Sequence, residues 1–258
     1  MPESDISWLS LACGSLSLII PILIFQYYRT GLNKQLLYSF GRMIVQLLFV
    51  GVYLQYIFNL DSMIVNFAWV LIMMFAAAFT IVKRSELKRK TFILPVIYGI
   101  CGDLAINLAL YIFIVMSPEK FLTARIMIPI IGMVVGNCIT NTIISLRSFM
   151  KILVSDENRY RYRLMAGATR SEALRPIIAE ALRTSFAPKL ASDATVGLIW
   201  LPGMMTGQIL GGSDPLIAIK YQILILVTIF VGGVVTSFIS LNYCKRLLFD
   251  KNDNLQIQ

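Results

Sequence analysis

Asp103 and Asn107 stand one helical turn apart in the middle of an apolar run. An ionisable side chain in such a place is costly enough to mark a functional candidate. A carboxylate there can bind a cation, take up a proton or pair with an arginine. The structural alternative is an Asp–Asn hydrogen bond that locks two helices together. Asn137, Thr140 and Asn141 share one side of a later apolar segment, where such side chains either line a path or glue helices to one another. Met204, Met205 and Gln208 follow a break at Pro202-Gly203. Thioether sulfur is a soft ligand for some transition metals and equally a filler of apolar gaps. Arg42 and Gln46 form another i,i+4 pair, near the inner end of a span, where Arg42 is expected to snorkel to the interface. Lys189 and Asp193, at the same spacing, read as a local ion pair.

Other chemistries are missing by residue type. The chain has no histidine, which removes the commonest metal ligand and proton shuttle. Cys13, Cys101, Cys138 and Cys244 lack the close spacing of a zinc site or redox pair and read as buried structural thiols. There is no Ser/His pair, no zinc-protease spacing and no G-x-x-x-x-G-K-[ST] phosphate loop. No enzymatic constellation is legible, and the chain has no visible means of hydrolysing ATP. The residues leave open which metal, if any, it handles.

The elements that must position these side chains are membrane helices. With 57% hydrophobic and 14% charged residues and a mean hydropathy of +0.75, the chain reads as an all-α polytopic membrane protein. The net charge of +9 falls mostly on one predicted side, which is a topology signal and speaks against nucleic acid as a partner. The acidic start Met1–Asp5 has no basic n-region, so no cleaved signal peptide is expected.

A spanning helix needs about 20 apolar residues. The spans expected are Ser7–Tyr27, Ser39–Phe58, Met63–Val82, Thr91–Met116, Ala124–Leu146, Ala194–Leu210 and Leu216–Tyr243. Arg29, Lys34 and Arg42 mark the first inner loop. Lys83–Lys90, with five basic residues in eight, marks the second, and Lys245, Arg246 and Lys251 mark the C-terminus. About seven transmembrane helices then run from an N-terminus outside to a cytoplasmic C-terminus, as one domain over residues 1–258. The sixth, broken at Pro202-Gly203, either crosses as two half-helices or folds back as a re-entrant hairpin. In both versions Leu201–Thr206 lies inside the bundle, because non-helical backbone needs protein or water around it.

One long polar interval, Arg147–Leu190, sits between the fifth and sixth spans and is expected to be a cytoplasmic loop. Thr169 and Glu172 form a capping-box pattern, which predicts a helix beginning at Arg170. Pro176 lacks an N–H and disfavours helical geometry at Arg175, so the expectation is a short helix, a bend, and a second helix running towards Pro188. The alternating Arg159, Arg161 and Arg163 read as a docking surface or as a basic face beside anionic headgroups.

Several runs carry a family resemblance: Gly167-Ala168-Thr169 through Pro188-Lys189, Thr195–Leu198, Leu201–Gly207, and Asp214-Pro215 with Ala218–Gln222. Together with Gly41-Arg42, Gln46 and the basic stretch after the third span, they cover essentially the whole chain. They resemble the FetB-type permeases, membrane subunits of iron-export ABC transporters, with plant relatives linked to aluminium tolerance. The resemblance implies a homodimeric permease in the plasma (cell inner) membrane that exports iron or a related metal ion. It also implies a separate cytoplasmic ABC subunit that holds ATP and Mg, so this chain binds no cofactor itself. Gly167, Ala168, Thr169, Arg170, Ser171, Glu172 and Ala173 then form the segment that docks on that subunit. The loop is also distantly similar to the coupling motif of ABC importers, with Gly167 and Ile177 at the right spacing. Arg161-Tyr162-Arg163 and Ala179-Glu180 depart from that motif. For a metal path the residues in view are Asp103, Asn107, Asn137, Asn141, Met204, Met205 and Gln208. Two other readings stay open: an ABC permease for a small organic solute such as a nucleotide sugar or amino acid, and an ATPase-independent cation- or proton-coupled transporter using Asp103.

Overall fold

A computed structural model describes residues 7–87 and 89–250, without side chains for 89–91. The acidic start Met1–Asp5, Lys88 of the basic run and Lys251 therefore lie outside the described residues. The chain divides into two compact units, Met1–Asp61 and Ser62–Gln258. Every long element is helical, as an apolar chain in lipid requires, because each backbone N–H and C=O must find its partner within the segment.

In the first unit, α1 (Trp8–Ser15), a 3-10 turn (Leu16–Leu18) and α2 (Ile19–Tyr27) make one continuous apolar stretch. Pro21 cannot donate a backbone hydrogen bond, and the chain tightens into 3-10 geometry just before it. Arg29 and Gly31, both with positive φ, turn the chain into α3 (Asn33–Leu60). This helix begins earlier than expected and takes in Lys34, Arg42 and Gln46, so much of the predicted inner loop is helix.

In the second unit, α4 (Met63–Arg84) and α5 (Arg89–Leu110) pack side by side, with Cys101 against Met74. A π turn (Tyr111–Val115) and α6 (Pro118–Phe121) lead to α7 (Ala124–Ser155). Then come α8 (Glu157–Met165), α9 (Arg170–Asp193), α10 (Gly203–Leu210) and α11 (Pro215–Leu247).

The polar interval is the main departure from expectation. Arg147–Leu190 is almost wholly helical. α7 continues past Leu146 because Leu146, Phe149 and Leu153 form a buried stripe at helical spacing. The expected division at Pro176 into a short helix and a second one is absent: α9 is one helix of 24 residues with Pro176 and Pro188 inside it. A proline in a helix interior costs about 3 kcal/mol. Leu174, Ile177 and Phe186 are buried around it, and burial of each such side chain contributes about 1.5–3 kcal/mol. The tertiary contact outweighs the local preference.

Six helical stretches among the described residues are long and apolar enough to cross a membrane, rather than seven. The expected sixth, Ala194–Leu210, is turns followed by the eight-residue α10. At 1.5 Å per residue α10 rises about 12 Å, well short of a hydrocarbon core of about 30 Å.

Contacts fix the helix directions within this unit. Pro95, Gly99 and Asp103 of α5 meet Ser240, Thr236 and Gly232 of α11 in that order, so the two run antiparallel. On α7, Val134 clusters with Ile225 and Ile229, while Asn141 meets Gly233, so α7 and α11 run parallel. α9 returns along both: Ala173 and Ile177 pack with the α7 end and α8, while Ser185 reaches Asn141.

Candidate functional site

At the polar end of the second unit, the capping box read from the sequence is present in full. Glu172 N donates to Thr169 Oγ1 at 3.3 Å, and Thr169 N donates to the Glu172 carboxylate at 2.8 Å. The Thr169 hydroxyl also bonds that carboxylate, at 2.7 Å. These hydrogen bonds, the side-chain one first and the backbone one second, hold the exposed Glu172 carboxyl below its ordinary range. Gly167 takes φ +91°, a left-handed conformation, and closes α8 through the Gly167 and Ala168 N–H groups.

The first turn of α9 is pinned from several sides. Arg170 donates to the carbonyl of Asp250 at 2.7 Å and stacks 5.5 Å from the centre of the Phe249 ring. Arg163 donates to the Ala173 carbonyl at 3.2 Å. Phe249 in turn packs on Tyr160. Beside this segment a cavity of about 250 Å³ is bounded by Asp156, Arg159, Arg163 and Glu180, over Tyr160 and Pro176. Its rim is of mixed charge and its floor is aromatic. Gly167–Ala173 thus forms one ordered structure at the start of a long helix. The part played by Phe249 and Asp250 was invisible in sequence, since nothing local points from residue 170 to residue 250.

The second constellation lies deep between helices. Asp103 is fully buried; Asn107 donates to it at 2.5 Å and the Thr236 hydroxyl at 3.4 Å. Among the described residues no arginine or lysine pairs with it. A carboxylate with only neutral partners in a dry site is suited to hold a proton or a small cation. The Asn107 side-chain oxygen is itself buried without a partner. Cys138 of α7 donates to the Val135 carbonyl and neighbours Thr236 and Asp103.

Fit here is tight. A Cβ on Gly232 would stand 2.2 Å from Asp103 Oδ1, and one on Gly99 would stand 2.7 Å from the Thr236 carbonyl. Close backbone approach through small residues is how helices pack where lipid supplies no hydrophobic drive. The recurrence of Thr228, Gly232, Thr236 and Ser240 every four residues is the sequence signal that could have exposed this polar seam of α11.

The other predicted path residues do not gather at Asp103. Asn141 lies across α11, against Gly233, with its carbonyl accepting from Ser185 at 2.7 Å. Asn137 is exposed and bonds back to the Met133 carbonyl of its own helix. Met204 packs with Val134, Ile225 and Ile229, which is gap filling, and Met205 is buried at 9% exposure. Gln208 keeps a buried side-chain oxygen without a protein partner. Lys189 and Asp193 form the expected ion pair. Among the described residues no group of three or more His, Cys, Asp or Glu could hold a metal ion. The site chemistry is therefore one carboxylate with amide, hydroxyl and thiol neighbours.

The model of an uncharacterised protein family, UPF0014, matches residues 8–249. "Probable iron export permease protein FetB" of Escherichia coli (strain K12) is 31% identical over 257 residues, covering 100% of this chain and 98% of that protein. "UPF0014 membrane protein YjkA" of Bacillus subtilis (strain 168) is 32% identical, covering 90% of this chain and 91% of its own length. "Protein ALUMINUM SENSITIVE 3" of Arabidopsis thaliana is 30% identical, covering 95% and 88%. No solved structure matches the chain.

Proposed function

The chain belongs to the UPF0014 family of membrane proteins, and from that premise we propose that it is the permease subunit of an ABC transporter exporting iron or a related metal ion. It works as a homodimer in the plasma (cell inner) membrane. A separate cytoplasmic subunit carries ATP and Mg and docks on Gly167–Ala173. Iron as cargo is supported by the name of the Escherichia coli relative alone.

The observation that carries the coupling half of this reading is the continuity of α9. Its capped end belongs to the proposed docking segment, and Ser185, on the same unbroken helix, bonds Asn141 deep in the bundle. In this reading the N-terminus is outside and the C-terminus cytoplasmic. The second half of α9, the turns after it and α10 together make the sixth crossing, which returns the chain to the outer side before α11. Asp103, Asn107 and Asn141 flank α11 on its two sides, and substrate passes when ATP binding shifts that helix.

The test is ATPase activity in proteoliposomes holding this chain and its ATP-binding subunit, with Fe²⁺ titrated anaerobically. Saturable stimulation, lost when the Thr169–Glu172 cap is disrupted, is the expected result. A stable complex with basal activity and no response to divalent ions keeps the permease and discards the metal in favour of an organic solute. Failure to bind any ATPase discards the ABC reading. A second reading is then favoured by Asp103, whose full burial without a basic partner suits a proton- or cation-coupled transporter working alone.

A further inference from the structure

Between the first turns of α9 and the last turns of α11 lies a groove of about 280 Å³, most of whose lining (Arg175, Ile178, Phe238, Asn242 and Lys245) the coupling reading leaves unused. Its polar end carries Ser171, Arg175, Asn242 and Lys245, and its other end is formed by Ile178 and Phe238. Phe238 precedes Lys245 by seven residues, which at 1.5 Å per residue is about 10 Å along α11. Polarity therefore changes along the helix axis: two cations where the apolar part of α11 ends, and an exposed aromatic ring two turns further in.

Glu172 also lines the groove, but its carboxylate is turned back onto Thr169. Neither Arg175 nor Lys245 has a carboxylate partner among the described residues. An arginine and a lysine beside a hydroxyl and an amide suit a phosphate, which guanidinium grips with two parallel hydrogen bonds. A soluble anion has no use for the Phe238 end of the groove. A lipid matches both ends, with its phosphate at the charges and its acyl chain along the ring.

We propose that this groove is a binding site for the headgroup phosphate of an anionic phospholipid, gripped by Arg175 and Lys245, with an acyl chain lying over Phe238. The bound lipid bridges the start of α9 to the end of α11 and shares Ser171 and Glu172 with the docking segment. Leaflet composition then bears on how firmly that segment is held. The site requires only that the chain is embedded in a membrane, so its test uses the permease alone, without an ATPase.

Detergent-solubilised, delipidated protein is titrated with phosphatidylglycerol, phosphatidylcholine or inorganic phosphate. Bound lipid is counted by native mass spectrometry and thermal unfolding is followed in parallel. Phosphatidylglycerol is expected to bind and raise the unfolding temperature, with little effect from phosphatidylcholine. Arg175→Gln and Lys245→Gln should each weaken that binding about fivefold, the worth of one basic side chain near an anionic surface. Arg246→Gln, outside the groove, should leave it unchanged, and Lys245→Arg should retain it. Retained binding in both glutamine variants, or an equal loss in Arg246→Gln, overturns the site. An equal shift from inorganic phosphate assigns the groove to a soluble anion and overturns the lipid.

Discussion

Ser185 of α9 donates a hydrogen bond to the main-chain carbonyl of Asn141 in α7 at 2.7 Å, in a fully packed part of the bundle. It ties the helix that begins at the proposed docking segment to the helix that flanks α11. Hydrogen bonds between membrane helices average about 0.6 kcal/mol, so Ser185→Ala should unfold within a few degrees of the parent. Its expected effect is on coupling. In proteoliposomes the ratio of transport to ATP hydrolysed should fall, and an unchanged ratio would show that α9 does not act through this contact.

The cap at Thr169 offers a prediction confined to the first turn of α9. Thr169→Ala removes the side-chain acceptor and should destabilise the first turn of α9 by about 1 kcal/mol. Hydrogen exchange should quicken at residues 170–173 and stay unchanged beyond Ile177. Binding of the ATP-binding subunit should weaken in step.

That cap also has a pH dependence of definite sign. Glu172 titrates lower in the folded chain than in the unfolded one, because Thr169 bonds its charged form. Its contribution is therefore fully present above the ordinary glutamate value, about 4.3, and is lost as pH falls through the lowered folded value. Exchange protection of the first turn should hold from neutral pH to about 5 and decline only below about 4. Glu172→Gln should abolish that decline. A loss of protection between pH 6 and 8 (on the order of neutral, where no glutamate of this type titrates) would contradict the assignment.

Pro176 should be replaceable with gain. α9 already continues through it as helix, so Pro176→Ala restores a main-chain donor that the helix lacks. The interior penalty of proline relative to alanine is about 3 kcal/mol, part of which should appear as a higher unfolding temperature. A lower one would mean that the ring's packing against α8 matters more than the missing bond.

The proposed sidedness can be read by labelling. In a cysteine-free background, Ser213→Cys in the turn before α11 should react with an impermeant maleimide from outside intact cells. Arg159→Cys in α8 should react only after permeabilisation. The same accessibility for both would remove the sixth crossing formed by α9, the turns and α10.

Much of this was legible in the residues, for identifiable reasons. Six of the seven expected spans announced themselves through length and apolarity, and Thr169 and Glu172 through a local pattern that needs no distant partner. The continuity of α9 did not, since Leu174, Ile177 and Ala181 look unremarkable among charged neighbours until Tyr160 and Phe149 are seen with them in one core cluster. Asp103 was conspicuous by charge alone. That Gly232 is its opposite number depends on the register of two helices over a hundred residues apart, which no local rule supplies. Met204 reads from sequence as a soft ligand or as a filler of apolar gaps, and its packing on Val134, Ile225 and Ile229 is an environment that only the fold supplies.

The clearance at Gly232 has a thermodynamic consequence for whatever Asp103 receives. With the carboxylate seated against that backbone, no room is left between Asp103 and Gly232 even for a methyl group, and in the proposed path α5 parts from α11 before an ion enters between them. Cargo then sees only the fraction of molecules already parted, and its apparent dissociation constant is the intrinsic one divided by that fraction. If about one molecule in a hundred is parted at rest, affinity measured at rest is about a hundredfold weaker than the site's own. Gly232→Ala, which wedges the two helices, should raise apparent affinity while lowering the unfolding temperature. A tight site that looks weak until driven open lets go of its cargo as soon as it closes.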